Sequence, residues 1–391
     1  MSKLDPEVEV SRETFDYLMK NDVPSLLDGI CKHLMTTQPP DASQSVIEYL
    51  QARKVDAHGG VAIAGRNVGG GWLRIIDGSG RITGSVDKLP FHPFAAPSTI
   101  GNGQLMVAAA KEAFLFAAMN ICDGESSDAA SSPPSSPSNA ASEKGEVVSE
   151  IHRYGFDGEL QLTVPCPKPI SCMEVDKVKG HLWVMFRTGS GMVLQYNGTK
   201  IRDVTTASLS TAAHAIRLKD GHYWILTSRG IEQRDYETGV LKTAIHLPDS
   251  MLRCNTLLLG QKHIYCSAPN PDGSANYVGV FDYNGRPATH FVPQGGSVLC
   301  FDHLRGGLWQ APRHGSSLIF TNEKGAKVVS VEWSKGKNVN ITIDKGSGLV
   351  WYFRMEGDAS MMALHDPLRG VHRAEVELPE VGSGVTHMIP L

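Results

Sequence analysis

From about residue 60 onward, apolar and polar positions alternate in short runs broken by glycine-bearing turns, the period-two signature of β-strands. One element recurs: an apolar strand with an aromatic residue near its start, just after a turn containing Gly or Lys. It reads KGHLWVMF, DGHYWIL, QKHIYC, GGLWQA and SGLVWYF. Its aromatics, Trp183, Trp224, Tyr265, Trp309 and Trp351, are 41, 41, 44 and 42 positions apart. A second element is a strand ending in a tight polar turn. It occurs as DGSGR (77–81), FDGEL (156–160), YNGTK (196–200), DYETG (235–239), DYNGR (282–286), TNEKG (321–325) and HDPLRG (365–370). After the first interval these turns are about 40 to 46 residues apart, the length of a four-stranded propeller blade. Within the repeat LVWYF is apolar throughout, as a central strand buried on both faces must be, whereas KVVSVEW alternates like an outer strand.

The first interval is longer because it holds DGESSDAASSPPSSPSNAASEKGE (123–146). This Ser/Ala/Pro tract is too polar to bury a core and is expected to be a disordered insertion. The repeat beginning at VAIAG (61–65) is one strand short, while the chain ends with an additional strand, GVTHMIPL (384–391). The C-terminal strand is therefore expected to complete the first blade and clasp the ring, removing an exposed sheet edge. The predicted fold is mainly β: a seven-bladed β-propeller over 61–391, preceded by a small all-α helical hairpin. An eight-bladed or irregular count is the competing reading. Gly-His occurs at 180–181 and 221–222, but no Trp-Asp dipeptide follows, so no propeller subfamily is assigned.

The hairpin is read from NDVPSLLDGICKHLMTTQPPDASQSVIEYLQARK (21–54). Asn21 and Asp22 are good capping residues, and Pro24 falls in the first turn, where its missing N–H costs nothing. With 23–37 helical, Val23, Leu26, Leu27, Ile30, Cys31, Leu34 and Met35 fill an arc of about 180°. Pro39 and Pro40 end this helix, and Asp41 or Ser43 can cap a second one, on which Ala42, Val46, Ile47, Tyr49 and Leu50 share a face. Two helices this short cannot cover so wide an apolar arc with each other, so a second copy, a partner helix or the propeller must cover it.

The stretch YLMKNDVPSLLDGICKHLMTTQPPDASQSVIEYLQ resembles the RII-alpha-like dimerisation/docking domain of the regulatory subunit of cyclic-AMP-dependent protein kinase. It is similar also to the two-helix dimerisation subunit of histone methyltransferase complexes and to such domains on axonemal proteins. The match covers about 13–54 and rests on Pro24, Leu26, Leu27, Ile30, Leu34, the Pro39-Pro40-Asp41 turn, Ile47, Tyr49 and Leu50. It departs at Ala42, where many relatives carry another proline or an apolar residue. The resemblance implies an antiparallel four-helix bundle made by two chains, whose groove receives an amphipathic helix of an anchoring protein. It also implies a cytoplasmic setting of the cilium or flagellum axoneme, with the nucleus as the alternative. The kinase-regulating function does not carry over, because no cyclic-nucleotide-binding region or inhibitor-like basic segment follows. The competing reading makes the hairpin a structural cap on the propeller, and a heterodimer with another docking-domain protein is equally compatible with the residues.

Charge and composition change this picture little. Lys and Arg number 37 against 41 Asp and Glu, and no basic stripe recommends nucleic acid or an anionic membrane. The opening MSKLDPEVEV lacks the apolar core of a signal peptide, and the longest apolar stretch (105–119) is broken by Lys111 and Glu112. Seven scattered cysteines without a CxxC pair suit reduced thiols. The expectation is a soluble intracellular protein.

Candidate chemistry is sparse. His181, His222, His263, His303, His314 and His387 fall in loops, but three of them recur at repeat spacing, as turn residues copied with a blade would. The sequence has no HExxH, GxSxG, P-loop or acidic calcium loop. GRNVGGGW (65–72) lacks the Lys-Ser/Thr of a phosphate loop and is read as a hairpin turn. Cys166 and Cys172 are close in sequence but form at most half a metal site, and no cofactor or metal is expected. Asp302, Arg305, Asp344 and Lys345 sit near inner turns, where they could line one mouth of the ring. Ser132 and Ser136, each followed by proline, are candidates for proline-directed phosphorylation, each adding about −1.5 to −2 charge. The expected function is a non-catalytic scaffold; the alternative is a propeller enzyme with its active site at a channel mouth, localised by the hairpin.

Overall fold

The computed structural model describes 60–391 except 68–69, 90–104, 110–111, 123–146, 206–212, 252–253, 255, 270–275, 289–296, 313–316, 333–336, 345–347, 357–358, 367–369 and 379–384. Upstream it describes Leu27, Ile30, Cys31, Leu34, Met35, Gln38, Asp41, Ala42, Ser43, Ser45 and Val46. The chain divides into two units, Met1–His58 and Gly59–Leu391.

In the second unit the strands form seven antiparallel sheets. Blade 1 holds β1 (Val61–Asn67), β2 (Gly70–Ile76) and β3 (Ile82–Leu89). Blade 2 is β4 (Met106–Ala109), β5 (Phe114–Cys122), β6 (Val147–Gly155) and β7 (Leu160–Cys166). Blade 3 is β8 (Ile170–Asp176), β9 (His181–Phe186), β10 (Ser190–Gln195) and β11 (Lys200–Thr205). Blade 4 is β12 (Ala213–Lys219), β13 (His222–Thr227), β14 (Gly230–Asp235) and β15 (Leu241–His246). Blade 5 is β16 (Thr256–Leu259), β17 (His263–Pro269) and β18 (Asn276–Asp282), with a single further bridge, Phe281 to Pro287, among the described residues. Blade 6 is β19 (Ser297–Asp302), β20 (Gly307–Pro312), β21 (Ser317–Asn322) and β22 (Lys327–Glu332). Blade 7 is β23 (Lys337–Ile343), β24 (Val350–Glu356), β25 (Ala359–Asp366) and β26 (Val371–Glu377).

The last strand, β27 (Val385–Pro390), leaves blade 7 and pairs antiparallel with β1, Val61 opposite Pro390 and Ile63 opposite Met388. It is the innermost strand of blade 1, so the expected clasp is present. The innermost strands touch in a closed cycle, β27, β4, β8, β12, β16, β19, β23 and back to β27. That cycle makes the fold a seven-bladed propeller.

The packing explains the sequence pattern. Each of the seven hydrophobic clusters lies between two neighbouring blades. A central strand therefore meets a blade on both faces: in β24, Trp351 and Phe353 pack towards blade 1, while Val350 and Tyr352 pack towards blade 6. The recurrent aromatics all face the following blade, Trp183 towards blade 4, Trp224 towards blade 5, Tyr265 towards blade 6, Trp309 towards blade 7 and Trp351 towards blade 1. The outer β22 alternates exposed and half-buried positions, as expected.

The seven polar turns join the third strand of each blade to the fourth position. Their glycines, Gly80, Gly158, Gly198, Gly239, Gly285, Gly325 and Gly370, all have φ between 66° and 88°, the left-handed region that a β-carbon disfavours. Gly84 is required for a different reason. A β-carbon there would lie 2.7 Å from the backbone of Asp157 and Gly158, so β3 can rest on the turn of blade 2 only as glycine. The insertion 123–146, with Ser132 and Ser136, connects β5 to β6 and lies outside the described residues.

Candidate functional site

The turn between the first two strands of blades 3, 6 and 7 repeats the pattern Asp-x-x-x-Gly-x-x-Trp, at 176–183, 302–309 and 344–351. In blade 6 the Asp302 carboxylate accepts the Leu304 and Arg305 amides at 3.0 Å each. It also accepts the Arg305 guanidinium at 2.6 Å and the Trp309 indole N–H at 3.1 Å. Asp302 is fully buried, and Arg305 reaches on to the Gly348 carbonyl of blade 7 at 3.3 Å. Asp344 closes its own turn by accepting the Gly348 amide on its carbonyl at 2.8 Å. Of the charges that sequence placed at a mouth of the ring, Asp302 and Arg305 thus hold a turn together; Lys345 lies outside the described residues.

In blade 3 the same carboxylate is answered from across the seam. The Tyr236 hydroxyl of blade 4 donates to Asp176 at 2.7 Å, and the Trp183 indole N–H donates to that hydroxyl at 3.4 Å. Burial pulls the Asp176 pKa up, but the Tyr236 hydroxyl and the Lys179 and Val178 amides outweigh it, and the net direction is down. Arg202 lies over the Trp183 and Tyr236 rings and donates to the Tyr236 and Glu237 carbonyls. Lys179 sits over Tyr236 and pairs with Glu237. Further round, Lys219 of blade 4 donates to the Gly260 carbonyl and to Tyr283 of blade 5. Glu323 of blade 6 accepts the Gln261 and Lys262 amides of blade 5.

The loop histidines do not converge. His181 bonds Tyr236 at 3.2 Å, His222 bonds the Asp220 carbonyl at 2.7 Å, and the rings of His263 and His303 lie against Tyr265 and Phe301. His387 is half-buried on β27, and His314 lies outside the described residues. Among the described residues no group of three or more His, Cys, Asp or Glu is placed to hold a metal ion. Burial pushes Cys166 and Cys172 each up to about 12, the opposite of what a nucleophilic thiol requires.

Sequence reasoning missed a set of buried polar ladders facing the preceding blade. On β6, His152 contacts Glu150 at 2.8 Å and Tyr154 at 3.0 Å, a carboxylate–imidazole–phenol chain on one strand face. Tyr154 and His152 are 3% and 6% exposed, which denies a substrate the geometry a catalytic relay needs. On β14, Glu232 and Arg234 form a buried ion pair at 2.8 Å. On β24, Arg354 donates to Glu356 at 2.7 Å, to the Tyr352 hydroxyl at 3.1 Å and to Glu375, while Tyr352 meets His372 at 3.0 Å. The available signal was period-two polar spacing inside otherwise apolar strands, as in SEIHRYG and WYFRME.

In the N-terminal unit Leu27, Ile30, Cys31, Leu34, Met35 and, further on, Ala42, Ser43, Ser45 and Val46 are helical. Gln38 takes a φ of 41° and its amide bonds the Leu34 carbonyl at 2.9 Å, the left-handed stop that ends a helix. Asp41 immediately precedes the next helical residues and its carbonyl accepts the Ser45 amide at 3.1 Å. Ile30, Leu34 and Val46 are half-buried, whereas Leu27, Cys31 and Met35, at successive i+4 positions, are exposed. Val23, Pro24, Leu26, Pro39, Pro40, Ile47 and Leu50 lie outside the described residues.

No family model matches the chain, and no curated protein matches it either. Among solved structures, it is similar to virginiamycin B lyase from Staphylococcus aureus at 15% identity and a TM-score of 0.44, over 61% of this chain and 82% of that one. It is similar also to the computationally designed Ika8 protein at 13% identity and a TM-score of 0.49, over 83% and 85%. The propeller assignment rests on the strand connectivity described above. Among the described residues no helix is long and apolar enough to cross a membrane.

Proposed function

We propose that the chain is a non-catalytic scaffold that dimerises through residues 13–54, docks an amphipathic helix of an anchoring protein in the resulting groove, and presents its propellers as protein-binding platforms. The observation that carries this reading is the line of Leu27, Cys31 and Met35, with Leu27 and Met35 left 56% and 75% exposed. A helix that buries Ile30 and Leu34 in part, yet leaves a second apolar line uncovered, has surface for another chain. The resemblance of 13–54 to dimerisation/docking domains supports the same partner. It also favours a large cytoplasmic assembly of the axonemal kind, with a nuclear complex as the alternative. In the propeller, the charges at the inner turns serve as turn caps and blade ties, which suits a rigid recruiting surface.

Light scattering tests the reading. The full chain is expected at dimer mass and a variant lacking 1–56 at monomer mass. Leu27→Asp places a charge on the exposed line without disturbing the half-buried one, and should weaken the dimer roughly 100-fold while leaving the propeller spectrum unchanged. A full chain that is monomeric alone, and stays so with docking-domain partners, overturns it.

A further inference from the structure

The ladder on blade 7 ends at a histidine that the scaffold reading does not use. His365, on β25, is 1% exposed, and among the described residues neither of its ring nitrogens has a hydrogen-bond partner. It stands opposite Val350 on β24 and opposite His372 on β26, whose ring centroid is 5.2 Å away. His372 itself is exposed.

Burial dictates which proton state this arrangement accepts. Arg354 donates to the Tyr352 oxygen, and that hydroxyl lies 3.0 Å from Nδ1 of His372. A proton on His365 would lie in a buried seam where, among the described residues, neither ring nitrogen has a hydrogen-bond partner.

The charged surroundings are these. From β24 come Tyr352 and Arg354; from β26, His372, Glu375 and Arg373, the last bulged between the positions paired to Leu364 and His365. On its own strand Asp366 follows, paired to Arg373. Blade 6 offers Trp309, Ala311, Leu318 and Phe320, all uncharged, on the face packed against Val350, Tyr352 and Ala363. At the turn end of the two blades are the Asp302–Arg305 ion pair and Asp344.

We propose that the seam between blades 6 and 7 is a proton-operated latch, closed while the buried His365 is unprotonated and released when it takes a proton, baring the apolar face of blade 6. Burial, then the neighbouring His372, pushes His365 down from 6.5 to about 4, with Asp366 opposing in part. The latch is thus closed above pH 6.5 and weakens as pH falls towards 4. This inference is independent of the dimerisation reading.

Hydrogen exchange of the β24 and β25 amides in the full chain, corrected for intrinsic rates, tests it at pH 7.5 and 5.0. Opening of these strands should rise roughly 30-fold at the lower pH in the wild type, and little in His365→Leu, which removes the titrating ring. An equal rise in both proteins overturns the latch. If the variant does not fold, nitrogen-15 histidine NMR of the wild type with the His365 signal assigned decides, since burial lowers the pKa of His214 as well: a His365 imidazole still uncharged at pH 5 supports the latch, and one charged at that pH overturns it.

Discussion

The seams between blades 3 and 4 and between blades 6 and 7 start from one octapeptide pattern and end in different hydrogen-bond arrangements. In the first, the carboxylate of Asp176 is tied across the seam to Tyr236, and the Trp183 indole joins the same hydroxyl. In the second, Asp302 is satisfied within blade 6 by its own turn, Arg305 and Trp309, and Arg305 crosses the seam to the Gly348 carbonyl. Blade 7 then faces blade 6 with a separate ladder that ends at His365, whose ring nitrogens lack a hydrogen-bond partner among the described residues. The difference comes from the next blade. After the turn aspartate, blade 4 has Tyr236 where blade 7 has Pro367, and only the tyrosine can reach back as a donor. A shared local motif fixes the turn, while the neighbour decides how the seam is held.

The largest test of this contrast is removal of each carboxylate. Asp302→Ala leaves the Arg305 guanidinium without its ion-pair partner and two turn amides without acceptors in a dry site, and should cost about 3–5 kcal/mol. Asp176→Ala, at a half-buried site where water can replace the lost acceptor, should cost about 1–2 kcal/mol. Urea denaturation of the two variants measures both. Equal losses would break the comparison.

Acid should separate the seams next. His365 has a folded pKa of about 4 against 6.5 when unfolded, so between these values the unfolded chain binds more protons. Stability at the blade 6–7 seam is therefore full above pH 6.5 and falls by about 2–3 kcal/mol as pH drops to 4. Asp176 runs in a lower window: its folded pKa lies below 3.8, so its contribution is present above that value and is lost only as pH falls through the folded pKa. Exchange measured blade by blade along a pH series should show blade 7 loosening before blade 3.

What the sequence discloses about these two seams follows from how local each feature is. The blade period is visible because the turn glycines and the strand aromatics answer to backbone conformation and to burial on both faces, which every blade requires. Ring closure is visible because a missing strand at VAIAG and a surplus one at GVTHMIPL must meet. The seam partners are not visible, since Tyr236 meets Asp176, 60 positions away, only once two blades are stacked. His365 reads as an ordinary residue before a polar turn, and its burial depends on the blade 6 face. In the N-terminal unit the helical residues that follow Asp41 are local and legible, while Pro39 and Pro40 lie outside the described residues.

The smallest effect sharpens the comparison most. Tyr236→Phe keeps the ring against Trp183, at 5.0 Å between centroids, and removes only the hydroxyl that couples the indole to Asp176. Asp176 retains the Val178 and Lys179 amides, and Arg202 retains the carbonyls it reaches. The loss should therefore be about 1 kcal/mol at neutral pH, the net worth of one hydrogen bond. The same change removes the hydroxyl that most opposes burial, so the Asp176 pKa should rise and the acid limb of blade 3 should move to higher pH. A blade 3 acid limb that stays in place while stability drops would mean that Tyr236 acts through packing alone. The tie across the seam would then be the turn amides, as in blade 6, and the contrast between the two seams would rest on His365.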